Sequence, residues 1–388
     1  MSPQGREGRM LKTVVIGAGQ AGLSAAYHLR RQGLEPEEDF VVLDANDGPG
    51  GAWRHRWPSL TFGSAHTIHD LPGLKVGIPD PTEPASSVVS RYYGDYEELF
   101  DLPVHRPEAV TEVVSPTPAG PLRVATTSGS WDAELIINGT GTWDRPYWPF
   151  YPGRELFLGN QLHTHDFQSA RHFRGLHVVV VGAGTSAVQF LLQLADAGAT
   201  TSWVTRRPPS FTGREFNAQW GREVEARVNE RTAAGLPPAS VVSTTGLPLT
   251  AQYQDGIAAG ILVSAGPMRA ITPEGVLLRN GTEIRADVIL WATGFRPALD
   301  HLAPLKLREA GGGIRMEGVR VLKDPRVLLV GYGASASTLG ATRAGRAAAI
   351  AAVKRLQKVG SRAAGMASED QVQPVPPGTH LHAGQPTP

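Results

Sequence analysis

The sequence predicts an α/β fold with two Rossmann-like units, because one strand–turn–helix pattern occurs twice, at LKTVVIGAGQAGLSAAYHL (Leu11–Leu29) and LHVVVVGAGTSAVQFLLQL (Leu176–Leu194). A chain of 388 residues, 41% apolar and 19% charged, has the size and composition for two or three globular cores. In each copy a β-branched run (Val14–Ile16, Val178–Val181) enters Gly-Ala-Gly and then a helix-period segment opening near Ala21 or Ser186. That order is the one a dinucleotide fingerprint requires.

Gly17 and Gly182 permit the tight turn, Gly19 and Gly184 let the backbone approach a diphosphate, and Gly22 or Ala187 keeps helix against strand. Gln20, Ala21, Thr185 and Ser186 open the helices, whose first N–H groups and partial positive charge suit a diphosphate. One match alone could be an ordinary glycine turn. Two in full context point to two dinucleotides with electrons passing between them.

The copies then diverge. Strand Phe40–Leu43 ends in Asp44, about twenty residues past the first fingerprint, where a carboxylate accepts from ribose hydroxyls, as FAD needs. Strand Thr201–Val204 instead continues into Thr205, Arg206 and Arg207, with no acid. An arginine pair there suits a 2′-phosphate and favours NADPH over NADH. The competing explanation is a pair of solvated arginines before Pro208–Pro209.

Between the fingerprints, Gly48–Pro84 has the Gly, Pro, Trp and His content of loops crossing a cofactor, with Gly51, Trp53 and Leu60 as contact candidates. Ser90–Phe100 has helical spacing, and its Tyr92, Tyr93, Tyr96 and Leu99 are expected in the core rather than in a substrate cage. Runs at Val110–Val114, Leu122–Thr127 and Glu134–Ile137 suggest a small β-meander that ends in Gly139-Thr140-Gly141, with Val110 and Thr140 near the cofactor. Strand Asp287–Trp291 ends similarly in Ala292-Thr293-Gly294.

Both glycine turns are expected where the chain crosses between units, so that the NADPH unit (151–289) is inserted into a FAD unit formed by 1–150 and 290–360. Within the insertion Phe216–Thr232 is helix-compatible, and Glu215, Glu223, Glu225 and Glu230 favour a solvated face over a basic membrane helix. After strand Arg326–Val330, an Ala-rich helix is expected over Ser337–Lys358, capped by Ser337 or Thr338 and stopped at Gly360. Its first residues, Thr338 and Leu339, would point at the flavin and stabilise the charge that reduction creates. Residues 361–388 read as a disordered tail.

A net charge of +1 gives no electrostatic reason to expect nucleic acid. No apolar run approaches the ~20 residues of a membrane span, and the polar Met1–Met10 lacks the apolar centre of a signal peptide, which reads as cytoplasmic. With no cysteine, the chain cannot pass electrons to a dithiol of its own or build thiolate iron–sulfur or zinc sites. His163/His165 and His66/His69 lack acidic ligands at helical spacing, so no metal is expected. Oligomeric state is left open, a homodimer included.

FLGNQLHTHDF fits F-x-G-x-x-x-H-x-x-x-F through Phe157, Gly159, His163 and Phe167. Together with GPGGAWRHRWPSL (Gly48–Leu60) and the order of the fingerprints, it resembles class B flavin-dependent monooxygenases, above all the short bacterial flavin-containing type, from Leu11 to about Arg355. The resemblance implies that NADPH reduces FAD, dioxygen adds at C4a, and the peroxyflavin gives one oxygen atom to a small organic substrate while NADP⁺ stays bound. It implies no proton-transfer dyad, and for His163 a part in the inter-domain crossing and in placing NADPH at least as much as direct chemistry.

One departure concerns the flavin side. Relatives commonly carry an Asn that holds the oxygen adduct, whereas Ser59-Leu60-Thr61-Phe62-Gly63-Ser64 puts Gly63 at about that point. Gly63, Ser64 and His163 are therefore the catalytic candidates; Ser64, Thr61 or a backbone N–H replaces the amide, or peroxide escapes. For Baeyer–Villiger chemistry only Arg54 and Arg56 offer themselves, and Phe167 lacks that branch's Trp-Pro or Trp-Asp ending. N- or S-oxygenation is favoured; a flavin reductase or dehydrogenase, Baeyer–Villiger oxygenation and a redox-sensing module are the alternatives. Trp53, Trp57, Phe62, His66 and Trp220 are candidate pocket walls.

Overall fold

The computed structural model describes residues 10–65, 68–213, 218–238, 246–336 and 338–369. Strands β1 (Met10–Ile16), β2 (Phe40–Leu43), β3 (Val104–His105), β4 (Val110–Val114), β5 (Leu122–Thr126) and β6 (Ser130–Asn138) precede β7 (Asn160–His163), β8 (His177–Val181) and β9 (Thr200–Val204). The short β10 (Phe211–Thr212) and β11 (Leu247–Pro248) pair with each other, and β12 (Met268–Thr272), β13 (Gly275–Leu278) and β14 (Glu283–Arg285) form a three-stranded antiparallel sheet. β15 (Val288–Trp291), β16 (Met316–Glu317), β17 (Arg320–Val321) and β18 (Val327–Leu329) complete the set. The helices are α1 (Gln20–Arg31), α2 (Ala85–Leu99), α3 (Thr185–Asp196), α4 (Ala218–Ala233), α5 (Ala251–Ala258) and α6 (Thr338–Glu369).

The larger sheet runs β16-β17-β18-β6-β1-β2-β3, with β1 parallel to both β2 and β6 in the register Val14↔Val41 and Val14↔Ile136. Its central strands are continuous apolar runs because both faces are covered. Val15, Val42 and Ile137 face α1, α2 and α6, while Val14, Ile16 and Ile136 face Trp131, Leu302 and Val321. The smaller sheet, β7-β15-β8-β9, is wholly parallel and carries α3. At the same end of it lie His163, Trp291, Val181 and Val204, and by the rule for open α/β sheets a ligand binds in the crevice outside those carboxyl ends.

Several expectations need correction. The expected meander is present as β4, β5 and the first half of β6, but its third strand is longer than expected: β6 is nine residues long, pairs antiparallel with β5 at Ala133↔Leu122, and then runs on as the parallel neighbour of β1. Leu99 is 60% exposed, while Tyr92, Tyr93 and Tyr96 are buried as expected. Gly360 does not stop the last helix, which continues to Glu369, so the segment beginning at 361 is helical for its first nine residues. A lone exposed glycine costs a helix only about 1 kcal/mol, too little to end one. Ser337, Glu215, Phe216, His66 and residues 370–388 lie outside the described residues.

Helices α1 and α6 touch backbone to backbone because a glycine sits at their crossing. A Cβ at Gly345 would lie 2.5 Å from the Ala21 carbonyl oxygen and 2.7 Å from Ser24 Cβ. Gly345→Val is therefore expected to destabilise the fold by roughly 1–3 kcal/mol through overpacking, despite the helix propensity it gains. Urea denaturation reads this directly, and an unchanged midpoint would show that the two helices need no such contact.

Candidate active site

At the first fingerprint the β1 strand ends in Gly17, whose φ of +96° and Cβ position 2.7 Å from the Gly139 carbonyl oxygen exclude other residues. A Cβ on Gly22 would fall 1.8 Å from the Gly17 carbonyl oxygen, so α1 starts tightly against the turn. Gly19, by contrast, faces open space, and α1 starts there with no side-chain cap. Gly51 closes the far side of this cradle, its Cβ position 2.8 Å from Gly19 Cα. Gln20 Nε2 donates to Thr342 Oγ1 at 2.9 Å and Ser24 Oγ to the Thr342 carbonyl at 2.8 Å. The α6 start, at Thr338 and Leu339, is thereby tied to the α1 start.

The second fingerprint repeats this construction. Gly182 is pressed against the Ala292 carbonyl oxygen (2.1 Å from its Cβ position) and accepts from Trp203 Nε1 at 2.6 Å. Gly184 opens to space and begins α3 without a side-chain cap, with Thr185, Ser186 and Ala187 in the first turn. Both cradles fit a diphosphate: glycine backbone with room above it, at uncapped helix N-termini.

The two sites differ at the strand beyond. Asp44, 4% exposed, accepts from Arg106 Nε at 2.9 Å and from Asn46 Nδ2 at 3.1 Å. Arg106 in turn makes a bidentate pair with Glu97 at 2.6 and 2.7 Å. Burial raises the Glu97 carboxyl above the usual carboxylate range, against the pull of Arg106. At the matching place after β9, Thr205 is buried with its hydroxyl 2.7 Å from Ser264 Oγ, followed by the exposed Arg206 and Arg207. Neither arginine has an ion-pair partner among the described residues.

The two glycine turns are held by polar clamps. Thr140 Oγ1 donates to the Ala298 carbonyl at 2.6 Å and accepts from Asn138 Nδ2 at 3.0 Å, while His301 Nε2 lies 2.6 Å from Asn138 Oδ1. Burial lowers the His301 pKa to about 4. Gly141 lies half-buried beside this clamp. Thr293 Oγ1 donates to the Tyr147 carbonyl at 2.5 Å, and Tyr147 N–H to the Gly294 carbonyl at 2.9 Å.

His163, fully buried, has Nε2 3.1 Å from that same Gly294 carbonyl, while its Nδ1 accepts the His165 N–H at 3.1 Å. An acceptor on one nitrogen and a donor on the other fix a neutral imidazole protonated at Nε2. Burial agrees, lowering its pKa to about 4. His163 thus fastens the crossing strand to the Ala-Thr-Gly turn.

In the loop before α2, Gly63 is exposed and its Cβ position lies 2.9 Å from Pro81 Cβ. A larger residue would have to displace Pro81. Ser64 Oγ lies 2.9 Å from Thr61 Oγ1, so the two hydroxyls satisfy each other. Trp53 is half-buried and packs against the cores of both units; Leu60 is buried, and Val110 half-buried at the start of β4. Trp57 is buried against Phe167 and Phe190, Phe62 is half-buried, and Trp220 lies on α4. Among the described residues no three His, Asp or Glu side chains converge to hold a metal, and no helix is long and apolar enough to cross a membrane.

Arg106, Glu97 and Trp143 were not singled out in the sequence. Arg106 is brought to Asp44 only by the pairing of β2 with β3. Trp143 stacks with His55, His165 and Phe295, from three separate segments. No local spacing announces either.

Residues 14–237 match the pyridine nucleotide-disulphide oxidoreductase family. A flavin-containing monooxygenase from Stenotrophomonas maltophilia has a similar structure, with a TM-score of 0.75 and 34% identity, covering 89% of this chain and 99% of that one. An indole-3-pyruvate monooxygenase, YUCCA1, of Oryza sativa subsp. japonica is 28% identical over 342 residues, 80% of this chain and 82% of its own. A bacillithiol disulfide reductase from Staphylococcus aureus, with a TM-score of 0.64 and 18% identity over 90% of this chain and 99% of its own, shares the fold. These likenesses imply FAD and a nicotinamide dinucleotide as cofactors. The chain belongs to the pyridine nucleotide-disulphide oxidoreductase family and, within it, to the NAD(P)H-dependent flavin monooxygenases.

Proposed function

We propose that the chain oxygenates a soft nucleophile, a thioether or an amine, using FAD and preferring NADPH to NADH as hydride donor. The carrying observation is the pair of open glycine cradles in a chain without a single cysteine. Electrons that reach the flavin find no thiol of this chain to reduce, and the likeness to flavin monooxygenases favours dioxygen as their acceptor. When bound, the flavin supplies the chemistry: it takes hydride from the nicotinamide and activates dioxygen for transfer of one atom.

The protein's part is to hold and to shield. Gly19 and Gly184 with their helix starts take the diphosphates, Asp44 takes the adenosine ribose of FAD, and Arg206 with Arg207 takes the 2′-phosphate. Units 1–150 with 290–360, and 151–289, are the corresponding flavin and coenzyme units. Thr140, Gly141, Thr293 and Gly294 hold the crossings between them, with His163 as a positioning residue. Gly63 supplies no side-chain donor to the reacting oxygen, so Ser64, Thr61 or loop N–H groups shield it, and part of the reducing power is expected to leave as hydrogen peroxide.

The test is rapid mixing of NADPH-reduced protein with oxygen, followed by product mass with sulfides and amines. The expected result is a transient distinct from oxidised and reduced flavin, products carrying one added oxygen atom, and a measurable peroxide yield. Immediate return to oxidised flavin with stoichiometric peroxide for every substrate would make the protein a flavin reductase instead.

A further inference from the structure

A cleft of about 890 Å³ opens between the segment Arg54–Ser59 of the flavin unit and the segment His165–His172 that follows β7. Its position in the nucleotide sheet follows from the strand order β7-β15-β8-β9. The arginines that suit the adenosine phosphate follow β9 and the diphosphate turn follows β8, so a coenzyme lying across the crevice directs its nicotinamide towards β15 and β7. The cleft is therefore at the reacting end.

Its charge is unbalanced, with Arg54, Arg56 and Arg171 against one carboxylate, Asp166. Arg54 is paired with Asp47, and Asp166 is engaged by His165 Nδ1 at 2.8 Å and the His163 N–H at 3.2 Å. Arg56 has no such partner. Its guanidinium lies over Trp143 at 4.5 Å and near Trp53 at 5.8 Å, and among the described residues no carboxylate, carbonyl or hydroxyl accepts from it.

Two comparably buried arginines are paired, Arg106 with Asp44 and Glu97 and Arg326 with Asp324, whereas Arg154 shares with Arg56 a seat over tryptophan rings, Trp148 and Trp291, but does not line the cleft. Burial lowers the Arg56 pKa to about 10, which still leaves it a cation at neutral pH. Next to it, the Trp57 indole N–H, on a side chain 4% exposed, also lacks an acceptor. The indole N–H is sealed from the cleft, but the Arg56 cation lines it, and a cation without an acceptor is costly unless something in the cleft supplies negative charge. Trp57 and Phe167, edge to face at 5.8 Å, give the same cleft an apolar wall.

We propose that Arg56, with Arg171 on the opposite wall, binds the carboxylate of the substrate, so that the molecules oxygenated are organic acids with an apolar or aromatic body. This rests on the oxygenase reading above and narrows its substrate class. The coenzyme diphosphate is the other anion near enough to consider, and the experiment separates the two.

With FAD-loaded full-length protein, oxygenation of (phenylthio)acetate is compared with that of methyl phenyl sulfide. In Arg56→Met the ratio of kcat/KM for the acid to that for the neutral thioether is expected to fall about ten- to hundredfold, the worth of a charge-assisted hydrogen bond. An unchanged ratio with a raised KM for NADPH would assign Arg56 to coenzyme phosphate and overturn the inference. Binding is read independently of turnover by titrating wild-type protein with phenylacetate and with its neutral isostere phenylacetamide, following the flavin spectrum and heat.

Phenylacetate is expected to bind more tightly, with the advantage reduced in Arg171→Gln, a change on an exposed side chain that keeps the test open if Arg56→Met loses FAD. Equal binding of the two would sink the carboxylate site. If neither thioether is oxygenated yet phenylacetate binding depends on the arginines, the oxygenase reading fails while the anion site stands.

Discussion

Replacing Arg106 with leucine is expected to strip the protein of FAD and to cost about 3–5 kcal/mol of stability, the usual penalty for removing one partner of a buried ion pair. The guanidinium is 12% exposed and stands between two carboxylates, Asp44 at 6% and Glu97 at 12%. Without it two negative groups remain in a largely dry site, and Asp44 keeps only the neutral Asn46 Nδ2 of the two donors that orient it. The ribose anchor would then turn, or take up a proton and cease to be an acceptor of full strength.

Two readouts separate loss of anchor from loss of fold. The FAD dissociation constant, measured on apo-protein by flavin fluorescence, is expected to rise beyond the change explained by the apo melting temperature. Glu97→Gln leaves one cation with one carboxylate and should retain flavin better than Arg106→Leu. A variant that melts earlier yet shows the same stabilisation by added FAD as wild type would reduce Arg106 to a structural role.

What the sequence displayed follows from how local each feature is. The fingerprints were legible because their glycines answer to atoms a few residues away: Gly22 to the Gly17 carbonyl, which lies within the same turn. Asp44 was legible by its distance from the fingerprint, but Arg106 is 62 residues further on and arrives through an edge strand of two residues. The second pairing of β6 was hidden for the same reason. Its alternating start does pair with β5, and only the register Val14↔Ile136 shows that the rest is a central parallel strand.

Gly360 illustrates the reverse, a strong local signal overruled because the cost of one glycine is small beside the helix it interrupts. The change at Gly63 was visible as a departure from related sequences. Its reason was not, since Pro81, which crowds that position, lies on the far side of the loop. Trp143, gathering His55, His165, Phe295 and the Arg56 guanidinium around one ring, exists as a feature only in three dimensions.

Exchanging both Arg206 and Arg207 for alanine is expected to raise the KM for NADPH by about a hundredfold while leaving that for NADH within a few-fold. The two coenzymes differ only by the 2′-phosphate, so the ratio isolates one contact. Each arginine is exposed and without an ion-pair partner among the described residues, and is thus available to a ligand. A phosphate oxygen at about 4 Å from a guanidinium gains about 1 kcal/mol in water and about 4 kcal/mol at a protein-surface dielectric. Two such contacts, reduced by solvent and side-chain entropy, support the expected magnitude.

Ionic strength supplies a second axis, since screening should weaken NADPH binding more than NADH binding in wild type and remove that difference in the double variant. The strand itself offers the converse change. Thr205 occupies, after β9, the place that Asp44 occupies after β2, with its hydroxyl beside that of Ser264. Thr205→Asp would set a carboxylate against the 2′-phosphate and in reach of a ribose hydroxyl, turning preference towards NADH. An NADPH-to-NADH ratio that neither change moves would leave the arginines as solvated surface residues and place coenzyme choice elsewhere in the crevice.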